Sequence, residues 1–70
     1  MRKYKLVKAR KVEGFSQEYL AGLLGISASN YSRKESGAIR ITSPEWKKIA
    51  ELLKVPVEDI YEAEERKLRN

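Results

Sequence analysis

Two residue types that carry much of protein chemistry, cysteine and histidine, are missing from this sequence. Disulfide scaffolds, zinc fingers and catalysis by a thiol or an imidazole are therefore excluded. Apolar runs are short as well, and none approaches the roughly 18 residues of a membrane span. No apolar block of a signal peptide follows the basic amino terminus, and we expect a cytoplasmic protein.

Glycine-rich phosphate loops are also lacking, and 70 residues are too few to enclose a ligand pocket of about 300 Å³. We therefore expect no enzyme, no cofactor and no small-molecule substrate. What the chain does contain, 41% hydrophobic and 36% charged residues with only four glycines and two prolines, favours one compact, helix-rich domain.

Positive charge is concentrated in the first part of the chain. Residues 1–42 hold nine Lys or Arg against three acids, whereas residues 43–70 hold six against seven. A local excess of this kind fits a polyanionic partner such as nucleic acid, although a solvated basic surface gives the same pattern.

Capping residues and glycines divide the chain into short helical segments. Ser16, Ser27 and Thr42 are good N-cap residues, and Gly14, Gly25 and Gly37 are natural helix terminators. No alternation typical of strands is present. The sequence predicts an all-α bundle of five helices, over about 3–13, 16–24, 27–36, from 42 and from 57. Residues 1–61 form the predicted domain, and 62–70 are a charged tail or an extension of the last helix.

The second and third predicted helices have the outline of a helix-turn-helix. With Gln17 as the first position, the fifth position needs a small residue where the two helices nearly touch, and Ala21 is there. The ninth needs a positive φ, and Gly25 is there.

These residues resemble the lambda-repressor-like family, also called the Cro/repressor or XRE family. The resemblance covers residues 6–61 and lies in three stretches: Gly14-Phe15-Ser16-Gln17-Glu18-Tyr19-Leu20-Ala21 with Leu24-Gly25-Ile26-Ser27, then Tyr31-Ser32-Arg33-Lys34-Glu35-Ser36-Gly37, and Ile49-Ala50-Glu51-Leu52-Leu53-Lys54-Val55-Pro56-Val57-Glu58-Asp59-Ile60. In that family the second motif helix enters the major groove of DNA.

The resemblance implies roles for individual residues. On the recognition helix it implies base contacts from Ala28, Ser29, Ser32 and Arg33. Of these, Arg33 is the strongest candidate, since a guanidinium bonds guanine O6 and N7 together. Phosphate contacts are implied for Gln17, Ser27, Ser36 and Arg40, together with the Gly37-Ala38 backbone. Arg2, Lys3 and Lys5 form a candidate phosphate-binding arm, with a solvated arm as the alternative.

Further implications are structural. The resemblance implies an ion pair between Arg10 and Glu35, and we expect Tyr31 and Trp46 in the core because they lie at apolar helical spacings. Lys34 departs from the family, which commonly has an aliphatic residue there. We expect its stem to lie on apolar surface while the ammonium reaches outward, toward solvent or DNA.

The function implied is that of a sequence-specific, repressor-like regulator of transcription that binds double-stranded DNA as a homodimer. The residues that the motif leaves free for a dimer contact are Val57, Ile60, Tyr61 and the tail beyond them. An antitoxin or another protein-interaction module on the same fold remains open as the alternative.

Overall fold

A computed structural model describes residues 3–62, and over that range the chain is helical without strands. Four α-helices follow one another: α1 (Tyr4–Val12), α2 (Gln17–Leu24), α3 (Ala28–Ser36) and α4 (Ser43–Leu53). A short 3-10 turn, Val57–Asp59, comes after them. The predicted all-α class is confirmed. Within the described range no helix is long and apolar enough to cross a membrane.

Three helices begin at the predicted N-caps. The Ser16 hydroxyl accepts a hydrogen bond from the Tyr19 amide at 2.9 Å, and the Ser27 hydroxyl accepts one from the Asn30 amide at 3.0 Å. Thr42 and Glu45 form a reciprocal capping box at the start of α4. Each cap satisfies amides that have no partner in the first helical turn, so these helix starts are encoded locally.

All four helices end in the same way. A left-handed residue follows directly after α2, α3 and α4, and one residue later, at Gly14, after α1. At least two amides beyond each helix donate back to carbonyls near its end. Three of these residues are glycines, whereas α4 ends at Lys54 with φ 61°. At the helix-turn-helix corner Gly25 has φ 75°, a value that costs a residue with a Cβ about 1–2 kcal/mol.

The predicted fifth helix is too long, because the structure has only a three-residue 3-10 turn there. The chain does turn at Val57, but after three residues it leaves helical geometry at Ile60, whose φ is −120°. Pro56 offers no side-chain cap, and the departure lets Ile60 enter the core completely, where apolar burial outweighs a few more helical hydrogen bonds. The predicted extension of that helix lies outside the described residues beyond Glu62.

The core lies between α1, α2, α3 and α4. Its fully buried side chains include those of both predicted aromatics, Tyr31 and Trp46. The remaining buried apolar residues are Leu6, Leu20, Ala21, Ile41, Ile49, Ala50, Leu53 and Ile60. Tyr61 packs edge-on against Trp46, with ring centroids 5.3 Å apart. The core thus holds one face of α3, that of Tyr31, Lys34 and Glu35, and leaves the opposite face at the surface.

Candidate nucleic-acid interface

Helix α3 presents one polar face to solvent. Ser29 and Arg33 are exposed and Ala28 and Ser32 are half-buried, whereas Tyr31, Lys34 and Glu35 are buried on the other side. The helical period produces this division, because residues three and four positions apart share a face. All four residues predicted to contact bases therefore lie at or beside the exposed face.

Ala21 and Gly25 hold α2 against α3. Ala21 is almost completely buried where the helices meet, and the Ile26 amide donates to the Ala21 carbonyl at 3.0 Å. A larger side chain at Ala21 would push α2 and α3 apart. The two helices and their glycine turn form the helix-turn-helix that the sequence predicts.

A buried polar cluster stands behind the exposed face. Arg10 Nε donates to Glu35 Oε2 at 2.6 Å and Arg10 Nη2 donates to Oε1 at 3.3 Å. The Tyr31 hydroxyl donates to Oε2 at 2.6 Å, and the Gln17 amide nitrogen donates to Oε1 at 2.9 Å. Glu35, with 1% of its surface exposed, therefore ties α1 and α2 to α3. Arg10 also donates to the Phe15 carbonyl at 2.8 Å.

Electrostatics in this cluster favour the charged forms of Arg10 and Glu35. Burial alone raises the pKa of Glu35, but the hydrogen bonds from Arg10, Tyr31 and Gln17 outweigh it and hold that pKa below its ordinary value. The hydrogen bond to Glu35 raises the pKa of Arg10 despite the opposing effect of burial. Burial, reinforced by the bond to Glu35, raises the pKa of Tyr31, which keeps its hydroxyl as a donor.

Comparison with known protein families gives one match, and it agrees with the helix-turn-helix seen in the structure. A family model described as helix-turn-helix, of the Cro/repressor and XRE-like type, matches residues 6–60. The chain belongs to this family. No curated protein and no solved structure matches the chain.

Membership implies that this helix-turn-helix protein binds DNA. The match covers the whole of the α1–α4 bundle except the first two residues of α1, and it extends through the 3-10 turn to Ile60. The exposed face of α3 is consequently the candidate recognition surface, and the residues at the helix starts and in the loop after α3 are the candidate phosphate contacts.

The four candidate phosphate residues differ in how much of their donor capacity the fold already uses. Gln17 donates its side-chain amide to Glu35, and the Ser36 hydroxyl donates to the Arg33 carbonyl at 3.0 Å. Ser27 accepts from Asn30 through its hydroxyl oxygen, while Arg40 is exposed in the loop between α3 and α4. Arg40 therefore offers a charged donor at the surface, whereas Gln17 offers chiefly its backbone amide at the start of α2.

Backbone amides of the loop after α3 are directed inward. The Gly37 amide donates to the Lys34 carbonyl, and the amides of Ala38 and Ile39 both donate to the Arg33 carbonyl. These bonds close the end of α3, so a phosphate held by the Gly37-Ala38 backbone has to compete with them.

Lys34 points into the fold instead of toward DNA. Its ammonium pairs with Glu45 Oε1 at 3.1 Å and donates to the Arg40 carbonyl at 3.3 Å. Glu45 also accepts from the Thr42 amide at 2.9 Å, so one carboxylate joins the end of α3 to the capping box of α4. Burial alone raises the pKa of Glu45, but the hydrogen bonds from Thr42 and Lys34 outweigh it and hold that pKa below its ordinary value. The link holds the loop that carries Arg40.

Two residues, Asn30 and Lys3, change the list of candidate DNA contacts that the sequence predicts. Asn30 is exposed on α3, and its side-chain amide is the group that bonds adenine N6 and N7 together. Its residue type was a sufficient signal for including it among the candidate base readers. Lys3, a candidate for the amino-terminal arm, is buried instead, and its amide donates to the Glu35 carbonyl at 2.7 Å. Arg2 lies outside the described residues.

Proposed function

We propose that this protein is a sequence-specific regulator of transcription, repressor-like in action, that inserts α3 into the major groove of double-stranded DNA in the cytoplasm. The observation that carries the proposal is the exposed face of α3, where small polar side chains surround Arg33 and rigid contacts fix the helix from behind. A face of small residues lets the helix backbone approach base edges closely, and Arg33 supplies a directional donor pair.

Base recognition is assigned to Ala28, Ser29, Ser32 and Arg33, with Asn30 as an additional candidate. Arg10 pairs with Glu35 and Lys34 pairs with Glu45 within residues 3–62, and Arg33 takes part in neither ion pair. Its exposed guanidinium is thus available for guanine. Phosphate contacts are assigned to Gln17, Ser27, Ser36 and Arg40, and they orient the protein without reading sequence.

The salt dependence of binding tests the electrostatic part of this proposal. The logarithm of the affinity should fall linearly with the logarithm of the salt concentration, with a slope of about −0.9 for each phosphate neutralised, because bound cations release counterions from DNA. Fluorescence anisotropy with a labelled duplex, selected by the protein from a random library, measures this slope. An affinity that does not change with salt would contradict DNA binding through the basic surface.

Homodimer formation on DNA is the second part of the proposal. A single recognition helix covers too few base pairs for useful specificity, and two copies on inverted half-sites solve this. Within the described part of the expected dimer surface, Ile60 is fully buried, Val57 is half-buried and Tyr61 is exposed, so this part is smaller than the sequence indicates. The tail beyond lies outside the described residues. So small a surface favours copies that are held together mainly by DNA.

Sequencing the selected duplexes tests the homodimer. We expect two inverted half-sites about one helical turn apart, because a two-fold axis in the protein pair imposes the same axis on its operator. Tyr61→Ser should weaken binding to the double site more than to an isolated half-site. Selected duplexes without a dyad would rule out the symmetric homodimer while leaving DNA binding intact.

A further inference from the structure

The outer face of α1 carries an apolar stripe that the fold does not use. Tyr4 and Val12 are 68% and 77% exposed, Val7 is half-buried between them, and all three line a shallow surface groove of about 570 Å³ together with Lys8 and Lys11. On the other side of the helix, Leu6 and Arg10 are buried in the bundle. The stripe extends along both turns of α1.

The groove along the stripe is lined by charge of one sign. Helix α1 has no acidic residue, and the charged residues that line the groove are Lys8 and Lys11. The adjoining cleft of about 530 Å³ between α1 and the end of α4 is mixed in charge, because Glu13, Glu58 and Asp59 line it together with Lys5 and Lys8. The purely basic part of this surface is therefore the groove itself.

An apolar stripe flanked by lysines suits neither a nucleic-acid backbone nor a second copy of α1. Phosphates interact with lysines and accept from a tyrosine hydroxyl, but they gain nothing from the exposed valine side chains of the stripe. A second copy that packed through the same groove would bring Lys8 and Lys11 against their own counterparts, which is repulsive, and no acid lines the groove to compensate. What complements both features is a helix with apolar side chains along one face and carboxylates beside them.

We infer that the outer face of α1, formed by Tyr4, Val7, Lys8, Lys11 and Val12, is a docking surface for an acidic amphipathic helix of another protein. Apolar contact with Tyr4, Val7 and Val12 provides affinity, and the lysines orient the carboxylates of the partner. This inference does not depend on the proposed DNA binding, since none of these side chains belongs to the candidate recognition surface.

The test uses the full chain, labelled with ¹⁵N, and two synthetic amphipathic helical peptides. Both have the same leucine face, and one has glutamate where the other has lysine. The glutamate peptide should shift the amide resonances of residues 4–12, and the lysine peptide should not. Val12→Ser should weaken binding of the glutamate peptide about tenfold, because the burial of one valine is lost. Lys8→Glu should reduce binding further and remove the preference for glutamate.

Leu23→Ser is the matched control, because Leu23 is an exposed apolar residue on α2 and its loss should leave peptide binding unchanged. Equal binding of the two peptides, binding of neither, or shifts confined to α3 would overturn the inference. So would displacement of the glutamate peptide by a DNA duplex at residues 4–12, which identifies a phosphate surface. Concentration-dependent shifts at these residues in the protein alone would identify a contact between copies and likewise overturn it.

Discussion

Glu35→Ala is expected to lower the free energy of unfolding by about 3–5 kcal/mol, since it leaves the Arg10 guanidinium buried without its partner. Arg10 is 7% exposed, and the Phe15 carbonyl that it also contacts does not neutralise its charge. Small domains have total stabilities of about 5–15 kcal/mol, so this loss is a large fraction of the whole. Chemical denaturation followed by circular dichroism measures it, with Tyr31→Phe as the matched comparison, which should cost about 1.5–3 kcal/mol for one hydrogen bond to a charged group.

A double-mutant cycle distinguishes a direct interaction from two separate effects. Arg10→Met combined with Glu35→Leu removes both charges and keeps similar volumes, and it should cost much less than the two single losses together. Losses that add would show that the two side chains do not stabilise each other, and the description of the cluster given above would be wrong.

The acid side of the stability curve reports on the same carboxylate. Because the folded state holds the pKa of Glu35 below its ordinary value of about 4.3, the stabilisation is present above that value. It is lost as the pH falls through the lower, folded-state pKa, since the unfolded chain takes up the proton first. We expect Glu35→Ala to flatten this part of the curve.

Arg33→Ala is expected to weaken binding to the best duplex by about 1–3 kcal/mol, or roughly 5- to 150-fold, and to relax the preference at one guanine in each half-site. The reason is the loss of a bidentate contact that discriminates guanine from the other bases. Arg40→Ala is the comparison, because a lost phosphate contact should weaken all duplexes alike and reduce the salt slope by about one. Anisotropy titrations with selected and scrambled duplexes measure both variants.

Equal loss of affinity for selected and scrambled duplexes in Arg33→Ala would assign Arg33 to a phosphate instead of a base. Neither variant should alter the stability of the fold, since both side chains are exposed. Thermal unfolding of the variants checks this, and it separates an effect on binding from an effect on folding.

How far the fold was predictable depends on the range of the interactions concerned. The caps at Ser16, Ser27 and Thr42 and the turn at Gly25 bind amides or set a φ within a few residues, and the sequence predicted each of them. The last segment was harder. Its three-residue turn depends on how Ile60 reaches the core, and local propensity contains no information about that.

The contacts of side chains at the site were likewise predictable only in part from the sequence. Residue types and helical spacing identified the exposed face of α3, and the family resemblance indicated the pair of Arg10 with Glu35. Tyr31 lies one helical turn before Glu35, a spacing that puts both side chains on one face of α3. Nothing in the spacing indicated that Gln17 would donate to the same carboxylate, or that Lys34 would turn inward to Glu45. A long polar side chain reaches several partners from one position, so its choice depends on what the packed helices bring near it.

The sequence by itself therefore determined the helical class, the starts and ends of most helices and the helix-turn-helix corner, because short-range sterics and hydrogen bonding set each of them. It also determined the basic character of the first 42 residues, which follows from a count of charges. Tertiary structure alone decided the bond from Gln17 to Glu35, the inward path of Lys34, the burial of Lys3 and Ile60, and the apolar stripe left exposed on α1. These features arise only when helices distant in sequence pack together, since packing determines which side chains lose solvent and which partners they meet.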